Sequence, residues 1–162
     1  LYACSDGVKT RLENLMTKFG LPIKTEKTAA RHSALRSEGR KPAMTNNKYK
    51  ILLVEDDGSI RSIMTTMLES AGYQVISADT CGLAKTLFAS HLPDVTILDL
   101  GLPDMDGMRL LEFVRKDSLS PIIVLSARND DEDKVLALDA GANDNVTKPF
   151  SWRSCWRASA WF

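Results

Sequence analysis

The chain has 162 residues, room for one ordinary domain with a full core plus extensions, and its 44% apolar and 26% charged residues are the balance of a globular protein. Its 21 basic and 21 acidic residues cancel, so no overall positive field favours DNA or an anionic membrane, and DNA binding by this chain itself is not expected. Cys4, Cys81 and Cys155 are too few and too scattered for a disulfide framework or a zinc site, and with no apolar run of membrane-spanning length and no secretory leader the expectation is a cytoplasmic protein.

Residues 1–47 are expected to form a short helix and a flexible linker, not native to the domain that follows. Val8, Leu12, Leu15, Met16 and Phe19 share one helical face, Gly20 stands where a C-terminal cap belongs, and Pro22 prevents continuation. The stretch from Ile23 to Lys48 is polar and basic without a sustained period, which reads as linker.

The domain itself is read over residues 48–151. The apolar run Ile51-Leu52-Leu53-Val54 leads into Glu55-Asp56-Asp57, and a helix follows with Ile60, Ile63, Met64, Met67 and Leu68 as its buried face. Gly72 stops that helix before a second strand at Tyr73-Gln74-Val75-Ile76, and the next helix carries Leu83, Ala84, Leu87 and Phe88. The third strand, Val95-Thr96-Ile97-Leu98, delivers Asp99 at its end; a helix using Met108, Leu111 and Val114 comes next. The fourth strand, Pro121 to Leu125, ends at Ser126, the fourth helix carries Val135, Leu136 and Leu138, and a short fifth strand near Asn145-Val146-Thr147 runs into Lys148-Pro149. Apolar strands spaced by helices imply a parallel sheet buried on both faces, hence a doubly wound α/β fold whose ligands bind beyond the carboxyl ends of the strands.

Those ends hold the chemistry. If Glu55, Asp56 and Asp99 converge at one rim, their mutual repulsion calls for a cation, and magnesium, which takes one or two carboxylates together with phosphate oxygens and water, suits a site that admits a phosphoryl group. Asp99 would be the carboxylate nucleophile forming an acyl phosphate, Lys148 would spread the charge of the transferring group, and Ser126 would move to donate to a phosphoryl oxygen. The Lys148-Pro149 bond is a candidate cis peptide that would aim the lysine inward.

Alone, each of these features has an ordinary explanation. An acidic cluster before a helix is usually a favourable match to its dipole, which is the role expected for Asp57 and for Asp130-Asp131-Glu132-Asp133. Ser126 alone is a strand-end hydroxyl, His32 and His91 read as surface residues, and Gly141 reads as a helix cap needing positive φ.

In combination, Ile51 to Asp57, Leu98 to Gly107, Val124 to Arg128 and Thr147 to Phe150 resemble a response-regulator receiver domain of the bacterial two-component type. The run from Lys50 to Ser151 is covered without a gap and is most similar to the OmpR/PhoB class, especially its potassium-uptake regulators. The resemblance implies a flavodoxin-like five-stranded sheet of order 2-1-3-4-5. It implies that Asp56 and Asp99 hold magnesium directly, Glu55 through water, and Gly101 through its backbone carbonyl. Ser126 would be the switch hydroxyl and Lys148 the phosphate-sensing cation, with phosphate arriving at Asp99 from a sensor histidine kinase. A weak homodimer through the fourth helix and fifth strand, and control of transcription through an output domain absent from this chain, are further implications.

Two positions and the C-terminal stretch depart from that pattern. Asn145 stands where most members of the class carry an aromatic ring that reports phosphorylation to a dimer face, and Asn143 stands where an aspartate usually contributes to salt bridges between subunits. This puts the coupling of phosphorylation to dimerisation in question. Residues 152–162 hold all three tryptophans and do not read as the amphipathic fifth helix of a receiver. A reading-frame slip accounts for them, since codons for an ordinary helix, read one nucleotide on, spell this tail. Two alternatives stay beside the leading one: a frameshifted or truncated fragment that binds partners as a pseudo-receiver, and an aspartyl-phosphate hydrolase, which needs a second carboxylate where Gly101 stands.

Overall fold

Three short apolar runs, at 51–54, 95–98 and 122–125, form the inner strands of the sheet, and two more-polar stretches, at 74–78 and 144–147, form its edges. The computed structural model describes residues 14, 15, 17–19, 49–126 and 131–148. Its strands are β1 (Lys50–Val54), β2 (Gln74–Ala78), β3 (Val95–Asp99), β4 (Ile122–Ser126) and β5 (Asp144–Thr147). All pair in parallel in the order β2-β1-β3-β4-β5, the expected doubly wound arrangement. β3 and β4 are buried at every residue, which is why they read as continuous apolar runs rather than alternating ones. β2, at one edge, is only half-buried, and its frame starts one residue later than its sequence suggests because Tyr73 belongs to the preceding turn.

The helices are α1 (Gly58–Ser70), α2 (Cys81–His91), α3 (Gly107–Asp117) and α4 (Asp131–Asp139). Asp57 caps α1, its Oδ1 accepting from the N–H groups of Ser59 and Ile60 at 2.8 and 3.0 Å. This is the structural role expected of it, and the two bonds hold its carboxyl below the usual range. α1 gives way to Gly72 at φ 95°, and α4 to Gly141 at φ 107°, the left-handed conformation for which glycine has no steric penalty.

The sheet separates two cores. Leu52, Val54, Leu98 and Val124 face α2 and α3, whereas Ile51, Leu53, Ile97, Ile123 and Leu125 face the side of α1. Met64 and Leu68 make the fully buried stripe of α1, with Ile60, Ile63 and Met67 partly covered. In α2, Ala84 and Phe88 are buried but Leu83 is 43% exposed. α4 differs most from its sequence pattern. Ala137 is its buried residue, whereas Val135, Leu136 and Leu138 are 58%, 56% and 46% exposed. Their spacing does not form one helical stripe, so a short helix that seats Ala137 on the sheet must turn them outward.

No helix among the described residues is long and apolar enough to cross a membrane. The tail 152–162, the linker and Cys4, Cys155 and His32 lie outside the described residues. His91 is exposed at the end of α2, as expected, and Cys81 is buried with its thiol pushed up to about 11, chiefly by burial.

Candidate functional site

A doubly wound sheet opens a crevice where its strand order reverses. Here the chain passes from β1 outward to β2 and then returns across β1 to β3, so the crevice lies beyond the carboxyl ends of β1 and β3. Glu55 and Asp56 follow β1, Asp99 ends β3, Ser126 ends β4 and Lys148 follows β5. All five line one open cleft of about 560 Å³, together with the Gly101 loop.

The acidic groups do converge. Carboxylate oxygens of Glu55, Asp56 and Asp99 lie within 4.8 Å of one another, Glu55 fully buried, Asp99 6% exposed and Asp56 exposed. Lys148 makes this tolerable: its Nζ lies 2.7 Å from Asp99 Oδ2 and 2.8 Å from Glu55 Oε2. Burial raises the Glu55 carboxyl above its ordinary range, more than the Lys148 hydrogen bond lowers it. Burial is also the largest single influence on Lys148 and pulls its ammonium down, but its bonds to Asp99 and Glu55 together outweigh that and leave it raised. The geometry therefore holds a protonated lysine between two carboxylates.

Neighbouring backbone fixes the directions of these groups. Asp99 Oδ1 accepts from the Gly101 N–H at 3.2 Å, leaving Oδ2 to the lysine. Arg61, one turn into α1, donates to the carbonyls of Glu55 and Asp56 at 2.7 and 3.1 Å and so anchors the acidic loop. The Lys148 N–H donates to the Ser126 carbonyl at 2.7 Å, tying the two strand ends together. The Ser126 hydroxyl is 2% exposed and finds no hydrogen-bond partner among the described residues. A buried hydroxyl without a partner is costly and is consistent with a group that waits for a ligand oxygen.

Three contributors have no role of their own assigned from the sequence, although Asp104 and Gly107 lie within the run Leu98 to Gly107 that carries the resemblance. Arg61 is hidden because a lysine or arginine in a first helical turn says nothing on its own. Asp104 accepts from the Cys81 and Gly82 N–H groups, both at 2.9 Å, joining the loop after β3 to the start of α2. Gly107 is needed for close approach: a Cβ there would meet the Asp99 carbonyl oxygen at 2.6 Å and Leu100 Cα at 2.8 Å. Conversely, Asn145 lies on β5, and Pro149 falls outside the described residues. Asn143 is engaged internally, its Oδ1 accepting from Arg115 Nη2 at 2.8 Å and from the Ile122 N–H at 2.9 Å.

The residues present fit a hard divalent cation. They offer clustered carboxylate oxygens, one of them exposed to the cleft, and the cluster among the described residues contains no thiol or imidazole.

Residues 51–156 match the response regulator receiver domain family. The transcriptional regulatory protein KdpE of Mycobacterium tuberculosis (strain ATCC 25618 / H37Rv) is 52% identical over 100 residues, covering 62% of this chain and 44% of KdpE. The KDP operon transcriptional regulatory protein KdpE of Escherichia coli (strain K12) is 47% identical over 107 residues, covering 66% of this chain and 46% of that protein. The chain thus spans less than half the length of these curated relatives. Among solved structures, the receiver domain of the Francisella response regulator 1452 superposes with a TM-score of 0.61 at 32% identity, covering 70% of this chain and 95% of that one.

Proposed function

The chain belongs to the response regulator receiver domain family, and from that premise we propose that Asp99 is its phosphoacceptor in a magnesium-dependent transfer from a sensor histidine kinase. The observation that carries this reading is the pair of contacts made by Lys148, which holds Asp99 and Glu55 together at the switch point of the sheet. Asp56 and Asp99 would hold the ion directly, Glu55 through water and Gly101 through its carbonyl. Bound magnesium supplies charge neutralisation for the entering phosphoryl oxygens.

The protein's own residues do the rest. An Asp99 carboxylate oxygen bonds to phosphorus as the phosphorus–nitrogen bond of the donor breaks, and the electron pair leaves on the donor's imidazole nitrogen. Lys148 turns from Asp99 to a phosphoryl oxygen, and the Ser126 hydroxyl donates to another. Among the described residues that hydroxyl has no partner to lose, which makes its movement toward the phosphate favourable. Phosphate lost to water would reset the switch. The role is signalling, and turnover is limited to self-phosphorylation from small donors and slow dephosphorylation.

The two KdpE relatives are named as transcriptional regulators, so we place the outcome of the signal in transcription, through an output domain beyond the matched region. The outward-facing Val135, Leu136 and Leu138 of α4 support a weak homodimer through the α4 and β5 face. Asn145 offers that face no aromatic ring to turn.

Incubation with acetyl phosphate and magnesium, followed by intact-mass measurement, tests the assignment. A single phosphoryl adduct, removed by hydroxylamine as an acyl phosphate should be, is expected, absent from Asp99→Ala and from magnesium-free samples. An equal adduct on Asp99→Ala sinks the proposal. Sustained release of phosphate from many esters would favour the hydrolase reading instead.

A further inference from the structure

Among the described residues, the helices that follow the strands cover the second face of the sheet unevenly. α1 lies against β2 and β1, at one end of the order β2-β1-β3-β4-β5. α2, α3 and Ala137 of α4 belong to the opposite core. Yet Ile123, Leu125 and Val146, the side chains that β4 and β5 present on the α1 side, are 1%, 0% and 6% exposed. Their cluster contains one described residue from outside the span 49–146, and that residue is Leu15.

Leu15 is 7% exposed, whereas Asn14, Thr17, Lys18 and Phe19 around it are exposed. The backbone at residues 14, 15, 17 and 18 is helical, and the Phe19 N–H donates to the Leu15 carbonyl at 3.0 Å. A helical turn that buries one leucine and leaves its neighbours in solvent is docked along a stripe. A parallel sheet also requires cover on both faces, because its strands are apolar on both.

We propose that the helix carrying Leu15 is the covering layer for the β4 and β5 half of this face, an intramolecular docking surface whose occupant precedes the domain in sequence. The long connection between them is no obstacle, since the entropy of closing a loop grows only slowly with its length. The position also matters for the cleft. Leu125 is in register with Val146 and Ser126 with Thr147, so the docked helix backs the strand ends that present Ser126 and Lys148. The inference rests on packing alone and stands apart from the phosphoryl chemistry.

Amide hydrogen exchange on the full chain tests it, with Leu15→Ala and Leu15→Asp compared against Asn14→Asp, which adds a charge at an exposed neighbour. Exchange of the Ile123 to Ser126 and Val146 amides should rise on the order of tenfold or more in Leu15→Ala and further in Leu15→Asp. β1 and β2, under α1, should change much less, and Asn14→Asp should match the parent. Unchanged exchange in Leu15→Asp would overturn the proposal, as would a uniform rise across all five strands in Leu15→Ala. Protection of β4 and β5 that falls on diluting the parent chain would also overturn it, by placing the leucine of a second copy in the groove.

Discussion

At the scale of single residues, two positions set the geometry without touching phosphate. Gly107 opens α3 with its Cα pressed against the backbone of β3's end, and a methyl group added there would meet backbone atoms of Asp99 and Leu100 first. Backbone cannot rotate away as a side chain can. Gly107→Ala is therefore expected to cost about 1–3 kcal/mol and to slow phosphorylation of Asp99, read by urea unfolding and by the rate of adduct formation. Parent-like values for both would show that the loop relaxes freely. Asn143 is the second case. Its Oδ1 serves the Arg115 guanidinium and the Ile122 N–H together; burial lowers the guanidinium's pKa, and its other hydrogen-bond partners are neutral carbonyls. Asn143→Asp keeps the acceptor and adds a counter-charge, so it should stabilise by up to about 1 kcal/mol, less at high salt because the residue is exposed. Asn143→Ala should destabilise by about 1–3 kcal/mol by stranding two donors. Opposite signs for the two variants are the diagnostic, and the resemblance alone, which assigns this position to contacts between subunits, does not anticipate them.

At the scale of elements, the loop after β3 is tied to α2 by one side chain. Both Asp104 oxygens accept N–H groups from the first turn of α2, and these bonds, to Cys81 first and Gly82 second, hold its carboxyl below the ordinary value of 3.8. A lowered folded pKa means that the tether contributes fully above the unfolded carboxylate's pKa and is lost as pH falls through the folded one. Asp104→Asn should therefore be less stable than the parent at neutral pH, and the gap should close as pH drops below about 3.8. Paired denaturation curves from neutral to acid pH give the comparison, and a gap that is constant with pH would show that the charge plays no part. The same scale shows what was legible. β1, β3 and β4 could be placed from sequence because burial on both faces leaves a signal in every residue. α4 could be located but not oriented, since Val135, Leu136 and Leu138 point to no single face and only the fit of Ala137 against the sheet decides. Leu15 could be assigned to a helical face, but nothing local says which distant surface that face meets.

At the scale of the whole molecule, the cleft is a place where folding works against itself. The ends of β1, β3 and β5 bring charges because chemistry needs them, and closing the sheet gathers Glu55, Asp56 and Asp99 within 4.8 Å. Their identities could be read from sequence because motif spacing carries them; their cost could not, because it depends on Lys148 arriving from the far end of the domain to sit between two of them. One lysine offsets two carboxylates and leaves Asp56 to the solvent. A divalent cation that binds only this assembled rim must then stabilise the entire fold, by about 1.4 kcal/mol for each tenfold excess over its dissociation constant. For a domain of this size that corresponds to a rise of roughly 4–8 °C in melting temperature per kcal/mol. Magnesium titration followed by calorimetry should show the rise, and a chelator should reverse it. Asp56→Ala supplies the sign test. Without magnesium it should melt at or above the parent's temperature, because one repelling charge is gone from the rim, and with magnesium it should gain little. A parent chain that melts at the same temperature with and without the ion, or an Asp56→Ala variant that responds as strongly as the parent, would mean that these carboxylates gather for a reason other than a metal.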